Sequence, residues 1–128
     1  MGRIPAYLVP NVKRITPTLK TGAEIIYKKL LEENVKNVFL YSGGSVMPLV
    51  DQFYNKKINY YVNSHEQNCG HAATGYAKSS NEVGVVITTS GPGITNMITP
   101  MLDAQNDGVP LLVLSGQVGT NFIGTGAF

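Results

Sequence analysis

The sequence predicts an α/β fold in which a doubly wound parallel sheet is flanked by helices in three layers. Short apolar runs alternate with helix-like segments along most of the chain. These runs lack a polar alternate face, as expected for parallel strands that are covered on both sides. The 128 residues, 43% of them hydrophobic and 14% charged, suffice for one domain with a core of its own.

Each element follows from a local signal. Thr21 is a candidate N-cap with Glu24 three residues on, and Ile25, Ile26, Leu30 and Leu31 recur at helical spacing. Pro48 is compatible with a helix only in its first turn. Helices are therefore expected from Thr21 onward and at 46–54, 65–80 and 94–108, and strands at 35–44, which ends in a glycine turn, and at 58–64, 83–90 and 110–116.

The polar content of the predicted strands converges on one edge of the sheet. Ligands of parallel α/β sheets bind beyond the carboxyl ends of the strands. Here those ends are 41–44, 64–66, 89–93 and 115–117, of which three carry glycines and the fourth carries Glu66. The sequence therefore places a binding site at this edge.

Charge and cysteine usage exclude several classes of function. Nine of the ten Lys and Arg residues fall within the first 57 residues, without the clustering that nucleic-acid binding requires, and only Lys78 lies beyond them. No apolar run approaches the ~18 residues of a membrane span. One cysteine cannot form an intramolecular disulfide, which favours a cytoplasmic location.

Residues 1–20 contain three prolines and no acid, which is typical of an irregular arm.

Two glycine turns follow predicted strands. The segment 91–96, GPGITN, is not a dinucleotide fingerprint, because Asn96 replaces the third glycine and the next strand ends without an acid. It is either a tight turn fixed by Pro92 or a set of backbone amides that face a ligand. Gly43 and Gly44 similarly allow a close approach of the backbone or form a simple bend.

The stretch 64–67, SHEQ, has two interpretations. Ser64 with Gln67 forms a capping box, and an acid in the first turn suits the helix dipole, so Glu66 needs no further role. The alternative is a functional acid, because Glu66 lies at the ligand edge. The helix behind it contains Gly70 and Gly75, which destabilise a helix and are expected where something packs closely.

The spacing of the two histidines and the cysteine in 65–71 does not predict a catalytic or metal site. Cys69 and His71 are two residues apart and point to different faces of a helix, so they form no local dyad. His65, Cys69 and His71 share no face either, and their spacing is not that of a zinc site. No metal ligand is therefore assigned in this chain.

Together, three stretches identify a family. HEQNCGHAATGYA (65–77), VGVVITTSGPGITNMITPMLDAQNDGVPLLVLSGQV (83–118) and IGTGAF (123–128) resemble the N-terminal pyrimidine-binding domain of thiamine-diphosphate-dependent enzymes, with acetolactate synthase the most similar. The segment 22–53 resembles the first helix, strand and second helix of the same domain. The resemblance covers about residues 21–128, which are expected to form this domain, incomplete at its C-terminus.

The resemblance implies roles for residues at the ligand edge. Glu66 matches the glutamate that hydrogen-bonds the aminopyrimidine ring of thiamine diphosphate and controls its protonation. Gly43 and Gly44 match the turn that approaches cofactor and substrate.

Three further residues match the turn that lines the pyrimidine site: Gly91, Pro92 and Asn96. Phe128 matches an aromatic residue near the substrate entrance, and Gly44 is expected on the substrate side as well. The implied reaction decarboxylates pyruvate and joins the product to a second 2-keto acid, in branched-chain amino acid biosynthesis.

The sequence departs from the family pattern. Ser42 replaces a proline, Asn68 and Cys69 replace glycine and alanine, and Gly126 replaces an acid, which leaves the 2-keto acid and a requirement for FAD open. The Gly-Asp-Gly motif of the family's diphosphate and magnesium domain does not occur in these 128 residues.

The resemblance therefore implies that Mg²⁺ is held by another domain or chain, in a homo-oligomer or a split enzyme, and that this chain is not competent alone. A non-catalytic partner-binding domain and another thiamine-diphosphate decarboxylase or oxidase remain alternatives.

Overall fold

The computed structural model describes residues 19–54 and 57–127. The expected arm at 1–20 lies outside these residues except for its last two, and Phe128 lies outside them as well. Within the described ranges the helices are α1 (Gly22–Glu32), α2 (Met47–Val50), α3 (Glu66–Ser80), α4 (Pro92–Thr95) and α5 (Ile98–Asn106), and the strands are β1 (Asn37–Leu40), β2 (Asn59–Val62), β3 (Gly84–Thr88) and β4 (Leu111–Ser115).

The four strands form one parallel sheet in the order β2-β1-β3-β4. Val38 of β1 is opposite Tyr60 of β2, and Val86 of β3 is opposite Val113 of β4. All carboxyl ends therefore lie at one edge, as the sequence predicts. Along β3 every residue is buried, whereas β2 lies at the border of the sheet and is exposed throughout.

Alternate residues of the strands form two cores, one on each face of the sheet. On one face Val38 and Ile87 pack against α1 and α2. On the other, Phe39 and Val86 pack around Met97, next to α3 and α5. The three-layer α/β arrangement is thus confirmed. Among the described residues, no helix is long and apolar enough to cross a membrane.

Helix α1 begins as predicted, and Leu30 and Leu31 of its predicted apolar positions pack in or against the core, whereas Ile25 and Ile26 do not. Thr21 and Glu24 form a reciprocal capping box, in which each side chain accepts a hydrogen bond from the other's backbone N–H. Ile25 and Ile26 are 55% and 36% exposed, whereas Tyr27 and Leu30 are buried. The tyrosine ring meets Phe53 edge-on at 5.1 Å, so an aromatic contact, and not the isoleucine pair, sets the buried face.

The predicted helix 46–54 is only partly helical. α2 covers four residues, with Pro48 in its first turn as expected, and 3-10 turns precede it at 44–46 and follow it at 51–53. A helix this short is not stable by itself, so the packing of Leu49 and Phe53 into the core stabilises it.

The two glycines inside α3 differ in their surroundings. A Cβ on Gly70 would lie 2.4 Å from the Pro100 ring of α5, so only glycine allows this helix contact. A Cβ on Gly75 would meet no atom within 4 Å. The expectation of close packing is therefore confirmed at Gly70 and is wrong at Gly75 within the described chain.

Candidate functional site

Glu66 is the first residue of α3 and lies at the carboxyl edge, directly after β2. Its side chain is 7% exposed. The N-cap is His65, whose imidazole Nδ1 accepts a hydrogen bond from the Gln67 backbone N–H at 3.1 Å. The predicted capping box of Ser64 with Gln67 is therefore wrong. His65 has the extended backbone of an N-cap, so the helix starts one residue later than such a box requires.

Asn96 reaches Glu66 from the opposite turn. Its side-chain Nδ2 donates a hydrogen bond to Glu66 Oε2 at 2.9 Å. Asn96 lies in a break of the helix that the sequence predicts at 94–108: α4 ends at Thr95 and α5 begins at Ile98. Met97, which is fully buried, lies in this break and anchors it in the core. The single predicted helix is thus wrong, because Pro100 lies in the first turn of α5 and would interrupt a helix that continued through residues 94–108.

The turn that precedes Asn96 requires glycine for two different reasons. Gly91 has φ 57° and ψ −119°, a conformation that L side chains rarely adopt. Gly93 has no such backbone, but a Cβ there would lie 2.6 Å from Thr89 Cγ2 and 3.6 Å from Glu66 Oε1. The side-chain-free surface of Gly93 therefore faces the second oxygen of the buried acid.

Gly43 and Gly44, which the sequence treats alike, differ in the structure. A Cβ on Gly43 would lie 2.4 Å from Thr89 Cβ, so this residue is glycine because the chain passes close to β3. A Cβ on Gly44 would meet no atom within 4 Å. Gly44 therefore has no packing reason to be glycine within the described chain, as expected if its space is used by a ligand or another domain.

A cavity of about 620 Å³ opens between the strand ends. Of the predicted residues, Gly43, Gly44 and Pro92 line it, whereas Gly91, Glu66 and Asn96 do not. The rest of its lining comes from the turn after β1, from the end of β3 and from the segment after β4, namely Ser45, Thr89, Ser90, Gln117, Val118, Gly119, Phe122 and Ala127. The predicted residues thus form two groups, one that lines the cavity and one that does not. Thr89 is next to both groups, because a Cβ on either Gly43 or Gly93 would overlap its side chain.

Hydroxyl groups connect the loops around this cavity. Ser45 Oγ lies 2.9 Å from Thr89 Oγ1 and accepts a hydrogen bond from the Ser90 backbone N–H at 3.2 Å. Ser115 Oγ donates to the Thr89 carbonyl at 3.2 Å. The sequence places 89–93 and 115–117 at the ligand edge but assigns no individual role to the hydroxyl residues or to Gly93, and it does not single out Ser45. The run TTS at 88–90 and the second glycine of the turn were the available signals.

Cys69 and His71 take no part in this arrangement. The Cys69 side chain is fully buried, and burial raises the pKa of its thiol, which is the opposite of what a nucleophilic cysteine requires. His71 is exposed, with Nδ1 3.8 Å from Asp103 Oδ2. Across residues 19–54 and 57–127, no group of three or more His, Cys, Asp and Glu side chains is arranged to hold a metal ion.

Sequence comparisons show which family the chain is similar to. The family described as "Thiamine pyrophosphate enzyme, N-terminal TPP binding domain" matches residues 20–128. The chain is 46% identical over 121 residues to "Acetolactate synthase" of Mycobacterium leprae (strain TN), covering 94% of this chain and 19% of that protein. It is 49% identical over 109 residues to "Acetolactate synthase catalytic subunit, mitochondrial" of Saccharomyces cerevisiae, covering 84% and 16%.

A third relative, "Acetolactate synthase large subunit" of Corynebacterium glutamicum, is 45% identical over 125 residues, which cover 97% of this chain and 20% of that protein. The chain therefore spans about a fifth of the length of these relatives.

Proposed function

The chain belongs to the thiamine pyrophosphate enzyme family as an N-terminal TPP-binding domain, and on this basis we propose that it holds the aminopyrimidine half of thiamine diphosphate, with Glu66 as the acid that contacts the ring. We assign this role to residues 21–128. The proposal rests on one observation above all: a carboxylate that is 7% exposed lies at the carboxyl edge of the sheet with an uncharged partner.

The residues present fit such a ligand. In residues 19–54 and 57–127 Glu66 forms no ion pair, and its carboxyl group takes part in one side-chain hydrogen bond, the one from Asn96. The carboxyl group therefore retains capacity to bond a ring nitrogen of such a ligand. The open space at Gly44, the Gly91–Pro92 turn and the neighbouring cavity of about 620 Å³ offer room for a planar ring and a small substrate.

The division of labour follows from the chemistry of each part. Thiamine diphosphate, when bound, stabilises the carbanion that forms when a 2-keto acid loses carbon dioxide. The chain's own task is to hold the ring and to keep a proton at Glu66. Gly43, Gly44, Gly91, Pro92 and Asn96 form the surroundings of the ring in this proposal. On the basis of the resemblance, Gly44 and Phe128 are assigned to the substrate side, and Phe128 lies outside the described residues.

We propose further that the whole enzyme decarboxylates pyruvate and joins the product to a second 2-keto acid, the activity that the relatives' name, acetolactate synthase, describes. The described residues offer no cluster of acidic ligands for Mg²⁺. On the basis of the resemblance, we propose that the diphosphate and its magnesium ion are held by another domain or chain, either in a homo-oligomer or in a split enzyme. A cytoplasmic location accords with the single free cysteine.

Calorimetric titration tests the proposal. The chain is titrated with thiamine diphosphate and Mg²⁺, first alone and then with a supplied diphosphate-binding partner, and the Glu66→Gln variant is the control. We expect binding only with the partner, and weaker binding for the variant. Absence of binding in both titrations would overturn the proposal and favour a protein that acts through its surface. Equal affinity of parent and variant would overturn the role of Glu66 alone.

A further inference from the structure

We infer that Asn96 is a positioning residue that acts on the cofactor only through Glu66: its side-chain amide holds Oε2 of the carboxylate and leaves Oε1 available. This inference rests on the function proposed above for Glu66 and deepens it. The resemblance alone would put Asn96 among the residues that surround the ring, whereas the structure directs its one side-chain hydrogen bond to the acid.

The backbone does not explain why position 96 is asparagine. Asn96 follows α4 with φ −67° and ψ −9°, which every residue type adopts readily. Many asparagines at helix ends are instead selected for a left-handed conformation, as at Asn81 with φ 58°. The residue type at position 96 is therefore tied to what its side chain binds.

The two oxygens of Glu66 have different surroundings. Oε2 accepts the amide hydrogen bond at 2.9 Å. Oε1 accepts none from the described residues, and it lies 3.6 Å from the point where a Cβ on Gly93 would be. Since no fully buried side-chain oxygen or nitrogen in the described residues lacks a partner, Oε1 is not sealed off from solvent. The turn 93–96 thus binds one oxygen and leaves the other open.

An amide suits this task better than a cation. The terminal torsion of a glutamate is broad, so an unheld carboxylate rotates between orientations. A lysine or arginine would fix it, but would also favour the anion and weaken its ability to carry a proton. The Asn96 amide donates a hydrogen bond without adding charge. It therefore sets the orientation of Glu66 and leaves a proton free to be shared.

A double-mutant cycle tests this inference. The parent, Asn96→Ala, Glu66→Gln and the double variant are each assembled with the diphosphate-binding partner, and exchange of the cofactor's C2 proton is followed by NMR. Because a hydrogen bond to a charged group is lost, Asn96→Ala is expected to slow exchange roughly tenfold or more in the parent. In the Glu66→Gln background the same change should have an effect of less than about twofold. Equal slowing in both backgrounds would overturn the inference, because Asn96 would then act independently of Glu66.

A second readout does not depend on the loaded enzyme. In the ¹⁵N-labelled chain the Asn96 side-chain amide should give a resonance that shifts on Glu66→Gln, and that does not shift on Thr95→Ala. Thr95 is a matched control, because it is the neighbouring residue and its exposed hydroxyl donates to the Pro92 carbonyl at 3.2 Å, its one side-chain hydrogen bond to the part of the chain that the structure describes. A resonance insensitive to Glu66→Gln would contradict the contact itself.

The two proposals fail in different ways. If Glu66→Gln leaves C2 exchange unchanged, the proposed role of Glu66 is wrong and the inference falls with it. If Glu66→Gln slows exchange and Asn96→Ala does not, only the inference is wrong. Thermal unfolding of each variant guards against misfolding, and Asn96→Ser, which lacks the amide donor, replaces any alanine variant that does not fold.

Discussion

The two ends of the sheet treat their acidic residues differently. At the amino end, Glu82 bonds the Lys36 ammonium and the Tyr76 hydroxyl, and the side chains of the ion pair are 35% and 66% exposed. At the carboxyl end, Glu66 is 7% exposed and its only side-chain partner within the described residues is the neutral amide of Asn96. The acid at the amino end is partly exposed to solvent and paired with a cation. Within the described residues, the acid at the carboxyl end is buried and has no counter-ion.

The difference teaches where function resides in this chain. An exposed ion pair adds little stability, and a buried carboxylate without a cation reduces it. The dipole of α3 favours an acid in its first turn but does not require a buried one, so stability alone does not explain the burial of Glu66. Residues that break a local rule of stability without compensation are expected at functional sites. The following predictions test this contrast, beginning with the largest effect.

Replacing Glu66 by glutamine should separate function from stability. We expect C2 proton exchange of the bound cofactor to slow by about 100-fold or more, because a proton donor and acceptor is lost. The free energy of unfolding should stay within about 1 kcal/mol of the parent, since a neutral amide is easier to bury than a carboxylate. NMR exchange and urea unfolding measure the two quantities. Equal exchange rates in variant and parent would contradict the prediction.

Gly43 and Gly44 form a matched pair at the carboxyl end. Gly43→Ala should lower the free energy of unfolding by about 1–3 kcal/mol, because the added Cβ would overlap Thr89. Gly44→Ala should change it by less than about 0.5 kcal/mol, because nothing lies within 4 Å. Gly44→Ala should instead weaken cofactor binding in the titration described above. Similar stability losses for both variants would show that Gly44 has a packing role after all.

The cap of α3 provides a third test. His65→Ala should reduce stability by about 0.5–2 kcal/mol, because the Gln67 N–H loses its acceptor. His65→Asn should restore most of the loss, since asparagine is a strong N-cap, and Ser64→Ala should have an effect below about 0.5 kcal/mol. Denaturant unfolding measures all three. A larger loss for Ser64→Ala than for His65→Ala would restore the cap that the sequence suggests.

The smallest effect is expected at the amino end. The hydrogen bond from Lys36, then that from Tyr76, lowers the pKa of Glu82, so its contribution to stability is present above the pKa of the unfolded chain. That contribution is lost as pH falls through the lowered pKa of the folded state. The pKa of Lys36 is raised by the same hydrogen bond, so its contribution is lost only at alkaline pH.

The stability difference between the parent and Glu82→Gln should therefore be small at neutral pH and should vanish in acid. Urea unfolding midpoints of the parent and of Glu82→Gln, measured from neutral pH into the acid range, check the prediction. A difference that grows as the pH falls would contradict it.

Local signals predicted most of the fold and part of the site. The Thr21 capping box and the run of buried residues in β3 are statements about neighbouring residues, and both were predicted correctly. The position of Glu66 at the carboxyl edge followed from the parallel sheet. The capping residue of α3 was missed because an imidazole rarely serves in that role, and Gly93 was missed because its contacts lie on other elements.

The sequence by itself determined the order of the elements, the parallel sheet and the edge at which its polar residues meet, because hydrophobic periodicity and turn residues act over a few neighbouring positions. Only the tertiary structure decided that Asn96 reaches Glu66 thirty residues away, and that Thr89 occupies the space beside Gly43 while the space beside Gly44 stays open. Each of these features depends on contacts between residues that are far apart in the sequence. Such contacts are set only when the layers pack closely together.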